Sequence, residues 1–372
     1  MRHSRSYSPI VALALFAVVA PSIRAQAPGA SVPPPLSVSR DSLVARDSTR
    51  ENPVLDPVPR TRGLAGSARI FIDASALRFD GGLTTYNVAA SFAPFLSEHV
   101  QVGVAPSYTR YESARIHTLQ SSTTALIANY VFGGGTRWRE YVGGYGSMAT
   151  QTNSPNVSEI GAQGGALFFL SSAVALRGEL RYREITSPGE RRYGNAVALV
   201  TLDPYVSGRA DEVAPTPPGL GVVDLAVLAY HARYSSYNVS GISGTIAPYL
   251  ARWAQVGVDG AVVHFSDYGD TGAYRVRGFG RGYVPLTART QPFAEGFAES
   301  STYNGNDGGL TDYGGALGVR EMLNAHVALD VGVRRTLESP ETFGPLGHSY
   351  TFRSPGTTAL FVGVVTRLGR AR

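Results

Sequence analysis

"AVALRGELRYR", residues 173–183, decides the fold. Val174, Leu176, Leu180 and Tyr182 fall on one side of a period-two pattern, and Arg177, Glu179, Arg181 and Arg183 on the other. A helix would scatter these charges around its circumference, whereas a strand sends alternate side chains to opposite faces. "HVALDVGVRR", residues 326–335, has the same form, with Val327, Leu329, Val331 and Val333 set against Ala328, Asp330, Gly332 and Arg334. A soluble sandwich also alternates, but its polar face meets solvent and is rarely so rich in Gly and Ala.

Outward from these runs, similar ones recur between turn clusters. The clusters are alternately short ("LSEH", "SSA", "LNAH") and longer ("RFDGGLT", "QTNSPNVS", "TSPGERR", "YNGNDGG"). Short turns at one end and longer loops at the other are the asymmetry of membrane barrels, the short turns lying on the periplasmic side. Period and breakers predict strands over residues 67–79, 84–95, 100–111, 121–132, 140–150, 159–170, 173–185 and 193–205, and about eight more within 222–368.

The second set echoes the first. "APFLSEHVQVGVAP" at residues 93–106 returns as "APYLARWAQVGVDG" at 247–260, Tyr141 and Tyr145 align with Phe293 and Phe297, and Val174 aligns with Val327. A near-constant offset over most of the length implies that a whole unit was duplicated. The expected organisation is a signal peptide over 1–25, a disordered Pro/Ser/Arg-rich lead-in over 26–63, an eight-strand unit over 64–206, a Pro/Gly-rich linker over 207–221 and a second eight-strand unit over 222–372.

Composition supports export. "MRHSRSYS", the apolar run "PIVALALFAVVA" and "PSIRAQA" are the three parts of a secretory signal, and Ala25 is the expected cleavage point. Nothing after it is apolar enough for a membrane helix, while 43 Gly and 20 Tyr suit an outer-membrane strand protein. The 372 residues contain no Cys and no Lys, which excludes disulfides, thiolate metal sites, Schiff-base chemistry and a Walker-type phosphate loop. A formal charge of +5 with 16% charged residues is too mild to imply nucleic acid.

"ANYVFGGGTRWREYVGGYGS" and "RGYVPLTARTQPFAEGFAES" resemble the middle turn of the small eight-stranded outer-membrane barrels of the OmpA-like and OmpW-like type. Tyr130, Phe132, Tyr141, Gly143, Gly144 and Tyr145 carry the resemblance in one unit, and Tyr283, Pro292, Phe293 and Phe297 in the other. It implies a fold and no activity. The chain departs from that family where it runs on as "LFVGVVTRLGRAR" in place of a final aromatic residue.

The fold class expected is therefore an all-β outer-membrane barrel of about sixteen antiparallel strands in two homologous halves. It closes as one barrel or, alternatively, as two tandem eight-stranded barrels. With Val, Leu and Tyr facing lipid, the lumen receives Asp73, Arg177, Glu179, Arg181 and Arg183 from the first half. From the second half it receives Asp224, Asp259, Arg275, Arg277, Arg281, Glu295, Glu299, Asp330 and Arg334. Charges beside hydrocarbon are costly, so these must meet water or each other, as a selective constriction or as a rigid filling. Trp138, Tyr145, Trp253 and Tyr283 fit an interfacial girdle.

The histidines are scattered, and no G-x-S-x-G, H-E-x-x-H or metal-spaced His pair is present, so no catalytic, cofactor or metal residue is expected. "NGNDGG" at 304–309 lacks the terminal Glu of a calcium loop. The sequence thus predicts a non-enzymatic, porin-like passage for small polar solutes in the outer membrane of a Gram-negative cell, or alternatively a structural or surface-binding barrel with a closed interior. Its expected partners are the outer-membrane bilayer and, during export, periplasmic chaperones and the barrel-assembly machinery.

Overall fold

A computed structural model describes residues 64–369, except 80–83, 114–115, 134–136, 153, 190–191, 208–217, 234–237, 267–270, 285, 304–309, 338, 344–349 and 355. The segments expected as signal peptide and lead-in, most of the expected linker and the "NGNDGG" stretch at 304–309 lie outside the described residues.

The first half contributes β1 (Ser67–Phe79), β2 (Thr84–Pro94), β3 (Val100–Ser113), β4 (Ile116–Val131), β5 (Trp138–Gln151), β6 (Ser154–Phe169), β7 (Val174–Thr186) and β8 (Tyr193–Ser207). The second contributes β9 (Val223–Arg233), β10 (Asn238–Ala251), β11 (Ala254–Ser266), β12 (Thr271–Tyr283), β13 (Thr290–Tyr303), β14 (Leu310–Met322), β15 (Val327–Thr336) and β18 (Thr357–Leu368). Between β15 and β18 the chain adds a separate hairpin of β16 (Ser339–Phe343) and β17 (Tyr350–Ser354), beyond the eight wall strands that the sequence led one to expect in this half.

Sixteen of these strands close one antiparallel barrel in which chain neighbours pair and β1 meets β18. Most exceed the 9–11 residues that a tilted strand needs to cross a bilayer. The outer wall is aliphatic, with Val100, Val102, Val104, Leu126, Val142, Ile160, Leu180, Val258, Leu317 and Leu360 all exposed. Trp138 and Trp253 stand exposed near its turn-side rim.

Short turns share a chemical device. After Leu96, Leu170, Leu286 and Leu323 come Ser97, Ser171, Thr287 and Asn324, whose side-chain oxygens accept backbone N–H bonds from Val100, Ala173, Thr290 and His326. Each replaces a ladder bond lost where the chain reverses.

The closure itself has two forms. In the loop-side half, β1 pairs β18 from Asp73↔Gly363 to Phe79↔Thr357, and β8 pairs β9 from Ala196↔Arg233 to Thr201↔Leu228. In the turn-side half the same four strands change partners: Ser67–Arg69 of β1 pair Tyr205–Ser207 of β8, and Val223–Leu225 of β9 pair Thr366–Leu368 of β18. One barrel at the loop end thus becomes two eight-stranded lobes at the turn end. The choice between one barrel and two, open in the sequence, is resolved by a four-strand junction that contains both closures.

Pro204 sits at this junction, between the part of β8 that pairs β9 and the part that pairs β1. Tyr205 donates its N–H to the carbonyl of Ala173, just before β7, so by the antiparallel alternation residue 204 faces the seam, where a donor would have no ladder partner. A proline is tolerated at such a position.

Candidate functional site

The interior of the turn-side half is the candidate site. Pinching into lobes gives each an eight-stranded cross-section, a width that side chains can fill.

In the first lobe the polar filling begins at the seam. Arg69 lies 3.4 Å from Asp203, Arg177 reaches Asp203 at 3.0 Å and Glu179 at 3.1 Å, and Arg181 reaches the other Glu179 oxygen at 2.7 Å. Tyr141 donates its hydroxyl to Glu179 at 2.7 Å, and Arg181 stands 4.5 Å above the Tyr145 ring. Arg183 pairs with Glu159 at 2.9 Å, closer to the loops. Beside the charges runs an amide chain: Gln163 donates to Asn129 (2.7 Å), Asn129 to Gln101 (3.1 Å), and Gln101 to the Ala93 carbonyl (3.1 Å). Below lies an apolar floor of Leu64, Phe95, Val131, Tyr141, Leu167, Phe169, Ala175 and Tyr205.

The second lobe is more densely charged. Arg320 holds Asp330 with two nitrogens at 2.6 and 2.7 Å and also contacts Asp224 and the Tyr249 hydroxyl. Arg281 bridges Asp330 at 2.7 Å and Glu295 at 3.0 Å. Arg334 approaches Glu295 at 3.4 Å, Arg277 pairs with Asp259, and Arg367 meets Asp224 at 3.4 Å. Gln255 donates to Asp224 at 2.7 Å and accepts from Tyr283 at 2.8 Å. The guanidiniums lie over rings: Arg281 over Phe293 at 4.2 Å, Arg320 over Tyr283 at 5.3 Å and Arg334 over Phe361 at 5.1 Å. Carboxylates and rings on the cations offset part of the cost of burying these charges.

In the second lobe exposure falls from loops to turns. Along β12 the side-chain exposure is 38% at Arg275, 12% at Arg277 and 7% at Arg281, while Glu295 and Glu179 are fully buried. Along β12 the interior thus closes onto the ion-pair network of the second lobe.

Of the charges singled out from sequence, Arg177, Glu179 and Arg181 meet in the first lobe, and Asp259, Arg277, Glu295, Asp330 and Arg334 in the second. Arg275 and Glu299 lie above them, 4.0 Å apart and more open to water. Asp73 stands apart, exposed on the inner face of β1 opposite Gly363. No group of three or more potential metal-ligating residues occurs among the described residues.

Two expectations are corrected. Tyr145 and Tyr283, assigned to an outer girdle, are buried inside the barrel, where Arg181 and Arg320 lie over their rings. The reason is parity: Tyr283 is two residues from Arg281, so both face inward. Arg69, Asp203, Arg320, Arg367 and Tyr249 are members of the networks that the sequence reading passed over. Asp203 precedes a proline and reads as a turn, and Arg69, Arg320 and Arg367 stand close to strand ends, where a period-two pattern has few repeats to fix parity.

No protein-family model and no curated protein matches the chain. Among solved structures, CdiB from Acinetobacter baumannii is similar at a TM-score of 0.42 and 12% identity, over 81% of this chain and 60% of that one. A bacterial polysaccharide outer membrane secretin gives 0.42 and 10% over 82% and 98% of the two chains. A triple mutant of the Rhodopseudomonas blastica porin gives 0.31 and 9% over 81% and 99%. The chain therefore spans 60% of the length of the first of these. Each is a distant likeness.

Proposed function

We propose that the protein is an outer-membrane channel of narrow bore, which passes small polar solutes through ion-pair constrictions in its turn-side half. The aliphatic wall supports insertion in the bilayer, and the turn end, where β1 begins and β18 ends, is taken as the periplasmic one, although the strand bounds leave connections of similar length at both ends apart from the linker between β8 and β9 and the excursion between β15 and β18. Two homologous eight-strand units are the arrangement this reading assumes. Periplasmic chaperones and the barrel-assembly machinery are its expected partners during export.

The observation that carries the channel reading is the exposure gradient along β12, from 38% at Arg275 to 7% at Arg281, which ends on side-chain ion pairs and not on an apolar core. An apolar core would serve a purely structural barrel with less desolvation cost. Planar-bilayer recording tests the reading. The wild-type chain is expected to give small, steady currents, and shortening the constriction with Arg281→Ser and Glu295→Ser together is expected to raise them several-fold. If both seal the bilayer, the channel is wrong. The second reading, a closed barrel that acts through its loop-side surface, would then hold; the apolar floor of the first lobe favours it.

A further inference from the structure

We infer that the four-strand junction is movable, and that its position sets the bore of the barrel. The inference rests on the channel reading for its consequence, but on backbone registers alone for its existence.

Two closures set independently would disagree in register. Here they agree rung by rung. Leu77 now faces Ala359, and Val197 faces Ala232. Extending the turn-side registers, Arg69↔Tyr205 and Leu225↔Thr366, sets Leu77 against Val197 and Ala232 against Ala359. The same four residues form the rung either way. Ser75, Leu199, Tyr230 and Phe361 make the next rung, and Asp73, Thr201, Leu228 and Gly363 the one after. Because the same backbone groups face the seam in both pairings, each rung that changes partners loses and regains equal ladder bonds.

Side chains make the movement one-way. Toward the turn end, Arg69 would be set opposite Arg367 and Tyr205 opposite Asp224, breaking the 3.4 Å pair between Arg367 and Asp224. Like charges in register destabilise a sheet. Toward the loop end none of the three inward rungs brings two like charges together. On the outer face Ala74, Val200, Ala229 and Val362, a rung of the same kind, stay apolar in either pairing. The junction therefore moves toward the loops, turning the shared loop-side lumen into two narrow ones.

The chain contains no cysteine, which allows the test to be made in the full-length protein. Two variants are compared in lipid vesicles under a thiol oxidant: Leu77→Cys with Ala359→Cys, and Leu77→Cys with Val197→Cys. Disulfides require Cα atoms within about 7 Å, so each reports one closure. A third pair, Leu77→Cys with Ala149→Cys on a distant strand, is the control. Both test pairs are expected to cross-link several-fold above the control, and the Leu77–Val197 lock is expected to reduce single-channel current several-fold relative to the Leu77–Ala359 lock. Cross-linking of Leu77–Ala359 alone, with Leu77–Val197 at the control level, would overturn the movable junction whatever the currents. Cross-linking of both with no current from any variant would sink the channel reading and leave the junction standing. If the rung of Leu77 tolerates cysteines poorly, Ser75→Cys with Phe361→Cys or with Leu199→Cys gives the same comparison on the neighbouring rung.

Discussion

Gly103 has no room for a side chain: a Cβ there would lie 2.5 Å from the Ala93 Cβ. Beside it Gln101 returns its amide to the Ala93 carbonyl at 3.1 Å. The second half makes the same bond, Gln255 to Ala247 at 3.0 Å, and a Cβ at Gly257 would lie 2.7 Å from the Ala247 Cβ. The returning phrase "QVGV" is thus an interlock of Gln and Gly with an inward Ala across the turn, while its valines face outward. Gly103→Ala is expected to destabilise the barrel by about 1–3 kcal/mol, as overpacking does. Gly278→Ala, where no atom lies within 4 Å of a new Cβ, is expected to leave stability unchanged or raise it slightly. Urea unfolding of the two variants in vesicles, followed through Trp138 and Trp253 fluorescence, separates the cases. The phrase was legible in the sequence as a repeat; its cause was not, because only the folded turn brings residues eight apart within bonding distance.

Adjacent strands β14 and β15 carry a deeply buried charge pair, Arg320 with Asp330. They face each other directly in register, so one guanidinium fork meets one carboxylate without side-chain distortion. Replacing Arg320 with Met leaves Asp330 to Arg281 and Asp224 to Arg367 in a buried site, and is expected to cost up to about 3–5 kcal/mol, the range for a broken buried pair. Adding Asp330→Asn to that variant is expected to restore part of the loss; a double variant no better than the single one would show that the pair is not coupled. Chemical denaturation of wild type, both singles and the double closes the cycle. The alternation that fixes β7, β12 and β15 was plain in the sequence, because charged residues recur in one phase, at 177, 179, 181 and 183 in β7, at 275, 277 and 281 in β12 and at 330 and 334 in β15. Arg320 was not, since in "GVREM" it adjoins Glu321 and the strand ends two residues later, leaving parity unmarked. Tyr283 misled for a related reason: tyrosine suits both a lipid interface and a ring beneath a guanidinium, and only its phase with Arg281 tells them apart.

For the molecule as a whole, the sequence fits both closures because the fold uses both. The number and direction of strands follow from local pattern, but which strand closes on which depends on contacts more than a hundred residues apart, and a pattern within one strand carries no record of them. The first half already contains what it needs to close alone. β1 meets β8 through Ser67–Arg69, Arg69 is neutralised by Asp203, and Glu98 accepts the N–H groups of Leu64 and Ala65 at 2.7 and 3.2 Å across the base. Its apolar floor is drawn entirely from residues 64–205. At the turn end, a side-chain link to the other half is the bond from Asn324 to the Tyr205 carbonyl at 3.2 Å. A fragment of residues 64–207 is therefore expected to refold in detergent micelles as an eight-stranded barrel, because β1 and β8 can extend the pairing they already share over the edges left by β18 and β9. Strand-rich circular dichroism, protease resistance and a monodisperse particle would report it. An aggregating or protease-sensitive fragment would mean instead that the loop-side edges cannot close without the second half, and that the sixteen-stranded wall is obligatory for folding.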